Sequence, residues 1–290
     1  MTAMTTPSET WPKLDLGDGT LDRGRAVPHA FIRSALFSSR KFSGDAIRVL
    51  ATETNPICIS GQDNYKLQQV AGERLDQGDC DVYVWLLNRA YKRGLKGKAE
   101  ARIYFTRGEA LKELGRARGT KSFKLLDESL MRLYQADIAY EIPHAIGRTR
   151  LISSLERPHK DANKNYDYEV VISEKAGDFF RGEDFKILYH VERDRLGDYL
   201  SRWLHAFYSS HNNPYQLTTD FIKELADRNS IKQESKWRAL LDKSLANVKE
   251  VTGWAVCEVR EYDNVRPRIV VTKGKREPRR PKSKEENHDI

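Results

Sequence analysis

The sequence predicts an α+β protein: two tandem winged-helix domains, each a helix-turn-helix followed by a β-hairpin, with flexible N- and C-terminal tails. Three observations predict it. Residues 214–272 read as a short helix, a polar break, a longer helix and a strand pair, the element order of a winged helix-turn-helix. With a leading helix added at its start, this unit spans about 191–272, and residues 76–173 run in the same order of leading helix, short capped helix, longer helix and hairpin, with no visible sequence repeat. The longer helix of each unit has an apolar face opposite a basic one. The expected divisions are a flexible leader at 1–27, a first winged-helix domain at 28–175, a second at 176–272 and a disordered basic tail at 273–290.

The polar, Pro- and Gly-containing residues before Pro28 carry no apolar signal core. Residues 28–37 are the first compact apolar patch. Strands are expected at 56–60 and 66–70. Asp76 or Asp79 opens a helix holding Val82, Trp85, Leu86, Leu87 and Ala90, ended by Gly94. Residues 101–105 form a strand. Thr106 and Glu109 have capping-box spacing, and that helix stops at Gly115. Thr120 caps the next helix, with Phe123, Leu126, Leu130 and Leu133 inside and Lys121, Lys124, Glu128 and Arg132 outside. Strands follow at 138–142 and 149–156, then a polar turn at 160–165 and a β-branched return strand at 166–173.

A long helix starts near residues 191–193, with Leu196, Tyr199, Leu200, Trp203, Leu204 and Phe207 on its apolar face. It ends near Pro214. Thr218 or Thr219 then caps a helix containing Phe221, Ile222 and Leu225. In the helix after it, Trp237, Leu240, Leu241, Leu245 and Val248 share one face. At about 100° per residue, Lys232, Ser235, Lys236, Ala239 and Lys243 fall on the other. Strands at 254–260 and 268–272 close the unit around Asp263 and Asn264.

The net charge of +8 and pI near 9.2 favour a polyanionic partner. Lys273, Lys275, Arg276, Arg279, Arg280, Lys282 and Lys284 stand against Glu277 alone in a basic arm. Cys58, Cys80 and Cys257 have no metal-ligand spacing and read as reduced cytosolic thiols. No apolar run of about 18 residues exists, so no membrane partner is expected.

Catalytic motifs are missing. The seven histidines include no His-x-His pair, as a nicking site would need. Gly94 to Lys98 has the composition of a phosphate loop without its spacing. Asp76, Asp79 and Asp81 lie at a helix start, where carboxylates cap and complement the dipole, so capping is preferred to a metal site. No catalytic residue, metal or cofactor is expected.

Two stretches carry a family resemblance. One is Arg33-Ser34-Ala35-Leu36-Phe37. The other runs from Ile59-Ser60-Gly61 to Arg74-Leu75-Asp76-Gln77-Gly78-Asp79-Cys80-Asp81-Val82 and into the helix with Trp85 and Leu86. Together they resemble the TrfA family of plasmid replication initiators. The resemblance implies a non-enzymatic, sequence-specific DNA-binding protein with paired winged helices. It implies binding to repeated double-stranded origin sites (iterons), opening of an A·T-rich segment with contact to single-stranded origin DNA, and recruitment of the host replicative helicase with DnaA. It also implies a contact with the sliding clamp and a monomer–dimer equilibrium, in a cytoplasmic, plasmid-associated protein. Two candidates for the clamp peptide are residues 34–37 and the Gln216-Leu217…Phe221 stretch.

On this reading Lys232, Ser235, Lys236 and Lys243 contact DNA from the second unit, and Lys121, Lys124 and Arg132 from the first. Arg260, Arg266 and Arg268 anchor the second hairpin to phosphates. The alternatives are a tandem winged-helix transcriptional repressor and, from another class, a replication enzyme such as a primase or relaxase. A basic face that binds protein or RNA is a third.

Overall fold

The structure is a computed structural model that describes residues 11–12, 14, 19–42, 47–62, 64–92, 101–159, 164–263 and 265–274. Expectations for residues 1–10, the Gly94 helix stop, the phosphate-loop-like stretch, the tip of the 160–165 turn, Asn264 and the arm beyond Gly274 lie outside the described residues.

In chain order, α1 (Thr20–Arg23), β1 (Gly24–Pro28) and α2 (His29–Ile32) precede β2 (Leu50–Ala51), β3 (Ile57–Ile59) and β4 (Lys66–Glu73). Then come α3 (Gln77–Lys92), β5 (Ala101–Phe105), α4 (Arg107–Glu113) and α5 (Thr120–Gln135). Four strands follow: β6 (Asp137–Ile142), β7 (Ala145–Arg150), β8 (Ile152–Glu156) and β9 (Tyr168–Ile172). A 3-10 segment (Glu174–Glu183), β10 (Phe185–Tyr189) and α6 (His190–Arg195) lead to α7 (Tyr199–Ser209). The chain finishes with β11 (Leu217–Thr218), α8 (Thr219–Leu225), α9 (Glu234–Thr252), β12 (Val256–Tyr262) and β13 (Val265–Thr272).

The fold is mixed α/β with two apolar cores. The second core joins Leu200, Trp203 and Leu204 of α7 to Ile222 and Leu225 of α8. Trp237, Leu241, Leu245 and Val248 of α9 complete it over Cys257, Ile269 and Val271. The first core centres on α3 and α5, with Trp85, Leu86, Leu126, Leu130 and Leu133 against the strands. The same strand order recurs in the two units: β5-β9-β8 in one, β11-β13-β12 in the other. In both, the strand before the helix pair lies beside the last strand of the unit. Local caps set the helix starts. Thr106 and Glu109 form the reciprocal capping box on α4. Thr218 accepts a hydrogen bond from Phe221 N on α8, and Asp198 from Ser201 N on α7.

Several expectations change. The stretch 149–156 is not one strand. Leu151 and Ile152 are both fully buried, which breaks the alternation a single strand needs, and the chain changes sheets there. β6 and β7 form an inserted hairpin that joins β2, β3 and β4 in a five-stranded sheet, while β8 pairs with β9. The segment from residue 191 is two helices, broken at Leu196 and recapped by Asp198. Thr120 is the first residue of α5, and Gly119 holds the cap position.

The leader and the boundary at 175/176 are also redrawn. Trp11 is 2% exposed, edge-on to Tyr91 at 5.9 Å and tilted on Phe180 at 6.2 Å. β1 pairs along its length with β10, and Phe179, Phe180 and Leu188 lie in the first core. Residues on both sides of the first unit therefore close its core. The cause is apolar burial by Trp11 and Phe180, which polar flanking composition hides.

A polar seam joins the two units. Asp76 Oδ1 accepts from Gly78 N and Asp79 N, so it caps α3. Asp81 meets Arg193 Nε at 2.5 Å, Arg202 Nη1 at 2.7 Å and Arg116 Nη2 at 3.7 Å. Burial pushes the Asp81 carboxyl up, but those three arginines together hold it below the usual carboxylate range. Residues 33–37 run through the seam. Arg33 Nη2 donates to Ser210 O at 2.7 Å, and Trp203 Nε1 donates to Ser34 O at 3.1 Å. Arg74 donates to Leu36 O at 2.7 Å and lies 3.3 Å from Asp227. Ser39 Oγ donates to Ala226 O, and Arg228 Nε donates back to Ser39 Oγ. Gly78 is needed where α3 meets α7: a Cβ there would stand 2.5 Å from the Tyr199 hydroxyl.

Two outcomes are expected. Replacing Trp11 with alanine destabilises the first unit by about 3–5 kcal/mol in urea unfolding, whereas an unanchored leader would leave the midpoint unmoved. Burial, with Asp79 adding repulsion, pushes Asp76 up to about 6, above the roughly 3.9 of an unfolded aspartate. The folded state then binds more protons between those values, so stability falls as pH rises through that window and levels off above it. Unfolding of the wild type and Asp76→Asn between pH 4 and 7 checks this; the wild type should lose ground to the variant across the window.

Candidate nucleic-acid interface

α9 emerges from a turn held by Asp227, whose backbone is in the left-handed region at φ 58°. Its inward residues Trp237, Leu241, Leu245 and Val248 are at most 1% exposed. That burial fixes which side faces out. Lys232, just before the helix, and Ser235, Lys236, Ala239 and Lys243 are all exposed. No carboxylate of the described residues lies within ion-pair distance of Lys232, Lys236 or Lys243. Nearby charges are engaged, Lys223 of α8 with Glu234 at 3.1 Å, and Arg238 with Asp242 at 2.9 Å and with Glu261 of β12, while Glu250 is exposed two turns beyond Lys243.

The β12–β13 hairpin stands beside α9. Arg260 and Arg268 are register partners, and Thr218 pairs with Arg268 from the other side. Arg260 is exposed and bound to Glu258 at 2.8 Å, which raises its pKa. Arg266 is 74% exposed and meets Asp220 of α8 at 2.8 Å. Arg268 is half-buried. The three arginines are thus not equivalent. Two are solvent-facing with carboxylate partners that phosphate can displace at small cost, because exposed pairs contribute little. The third is partly enclosed by its strand neighbours.

In the first unit, α5 projects Lys121 and Lys124 to solvent. Lys124 is 77% exposed, with Glu128 one turn on at 3.8 Å. Arg132 does not join them. Its guanidinium turns inward onto Asp79, Nη2 to Oδ1 2.8 Å, and its side chain is 12% exposed. Ser129 Oγ donates to the same carboxylate at 2.6 Å. A fully buried carboxylate needs a paired cation, and that requirement takes Arg132 out of the outer face expected from helical spacing.

Basic residues of the β8–β9 hairpin were missed. Arg157 is 54% exposed, with its guanidinium 5.1 Å over the Tyr168 ring. Lys164 is exposed, 5.2 Å over Tyr166. They flank the turn as Arg260 and Arg266 flank the second one. The signal was present in the sequence, since the hairpin argument made for residues 260–268 applies equally to 157–164.

Residues 34–37 cannot serve as an exposed clamp peptide here, because Ala35, Leu36 and Phe37 are at most 2% exposed. Leu217 is half-buried in β11, and Phe221 is 37% exposed at the start of α8. Among the described residues, no group of three or more His, Cys, Asp or Glu side chains is arranged for a metal ion. No described helix is long and apolar enough to cross a membrane.

Comparison with known proteins adds a family. The profile described as TrfA protein matches residues 14–261. No curated protein matches the chain in sequence. Among solved structures, domains 2 and 3 of RctB are similar at 11% identity and a TM-score of 0.53, over 81% of this chain and 95% of that one. A second structure of RctB domains 2–3 is similar at 9% identity and a TM-score of 0.50, over 85% and 97%. The Pi initiator protein in complex with iteron DNA aligns at 10% identity and a TM-score of 0.46, over 74% and 100%. At these identities the likeness to RctB is one of fold.

Arg132 and Lys124 should separate cleanly. Arg132→Ala leaves Asp79 short of a partner and destabilises the first unit by about 2–3 kcal/mol. Lys124→Ala changes stability by less than about 0.5 kcal/mol. Chemical denaturation of both variants checks the pair.

Proposed function

The chain belongs to the TrfA family, and from that membership we propose that it initiates plasmid replication by gripping duplex origin repeats with two winged helices. On this reading α3, α4, α5 and the β8–β9 hairpin make the first, and α7, α8, α9 and the β12–β13 hairpin the second. The observation that carries it is the outward face of α9: three exposed lysines without described carboxylate partners beside short side chains at Ser235 and Ala239. Short side chains let a helix approach base edges, and lysines without competing carboxylates are available to phosphates.

Lys232, Lys236 and Lys243 contact the backbone, and Ser235 lies at the end of α9 that enters the groove. Arg260 and Arg266 exchange Glu258 and Asp220 for phosphates, with Arg268 supporting the hairpin. Lys121 and Lys124 act for the first unit, joined by Arg157 and Lys164; Arg132 is left out, since Asp79 holds it. The protein works by binding and not by catalysis. Family resemblance extends the reading to opening of an A·T-rich segment with single-stranded contact, to the replicative helicase, DnaA and the sliding clamp, to a monomer–dimer equilibrium and to a cytoplasmic setting.

Footprinting of the full chain on its own replicon tests the proposal; repeated protected sites beside an A·T-rich segment are expected, and uniform protection would refute it. Lys236→Ala should weaken binding to the protected duplex and lower the slope of log K against log salt by about one. An unchanged affinity and slope would remove α9 from the interface.

A further inference from the structure

The two proposed groove helices present different surfaces. α9 exposes lysines, small residues and the carboxylates of Glu234, Asp242 and Glu250, and no large apolar side chain. α5 exposes two: Leu125 at 49% and Met131 at 46%. Their exposure follows from the helix itself. Leu126, Leu130 and Leu133 are fully buried, so residues 124, 125, 128 and 131 are left on the outer side. Lys121 and Lys124 stand at the N-terminal end of that side. Glu128 lies between the apolar pair along the helix and is itself 43% exposed. With Arg132 held inward by Asp79, the positive charge of the outer face is confined to its N-terminal end, at Lys121 and Lys124.

Resting on the reading of α5 as a groove helix, we propose that Leu125 and Met131 are specificity-determining residues that read thymine by its C5-methyl group. The major groove offers one apolar feature, and it belongs to thymine. A leucine and a methionine carry no hydrogen-bonding group of comparable strength, so burial against that methyl is the discrimination available to them. The lysines at the helix start supply the charge that holds such a face against the backbone. The two units then divide recognition: α9 by charge and close approach, α5 by apolar contact at T-containing steps.

The test uses deoxyuridine, which pairs as thymine does and lacks only the methyl. A duplex is selected by the full chain from a randomised pool, then resynthesised with each thymine replaced in turn by deoxyuridine. For the wild type, at least one replacement should weaken binding about fourfold, the value of one buried methyl. Leu125→Ala or Met131→Ala should abolish the penalty at that position and leave penalties elsewhere intact. Both side chains are exposed, and equal thermal midpoints will show that the variants fold. If no position has a methyl penalty that either variant removes, the inference is overturned while DNA binding stands. If the pool yields no preferred duplex, the proposed function fails with it. Full discrimination retained by both variants would likewise overturn the inference.

Discussion

Buried carboxylates at the start of α3 govern the arrangement of the molecule. Asp79 and Asp81 are enclosed, and an enclosed carboxylate persists in ionised form only with cations in contact. Asp79 finds Arg132 on α5. Asp81 finds Arg193 on α6 and Arg202 on α7. One turn of one helix therefore ties the outer helix of the first unit to the leading helix of the second. α9 packs on α7 through Trp203, Trp237 and Leu241 in the second core. The separation of the two lysine-bearing helices is thus set by a few short ion pairs as well as by apolar packing.

The residues that carry the family resemblance do structural work of this kind. Arg33 to Phe37 and Leu75 to Val82 are not on the solvent faces of α5 or α9. They line the junction. Arg33 and Ser34 bond across it, Arg74 fastens the 35–36 carbonyls, and Gly78 leaves room for Tyr199. Such contacts demand particular residue types, because each polar group there must be satisfied in a low-dielectric setting. The outer faces meet water in the free protein and are less constrained by packing.

Much of the local structure was legible. The Thr106–Glu109 box, the Thr218 cap, the heptad-like face of α9 and the β-branched return strand β9 follow from rules spanning about four residues. The misreadings involve partners far away in sequence. Trp11 is buried by Tyr91 and Phe180. Leu151 joins two strands that belong to different sheets, a division no local pattern announces. Arg132 is on the basic side of its helix by spacing, yet Asp79, 53 residues earlier, turns it inward.

By itself, the sequence determined several of the helix caps, which helix faces are apolar, the recurring order of elements and the family. Helical period, capping and β-propensity act through neighbours along the chain, and they survive without knowledge of the rest. Only the tertiary structure decided which cations remain open to a polyanion. A lysine or arginine is free or engaged according to the carboxylate that folding brings beside it. Lys236 and Arg132 look alike in sequence, yet Lys236 is left exposed to solvent while buried Asp79 turns Arg132 into an internal brace.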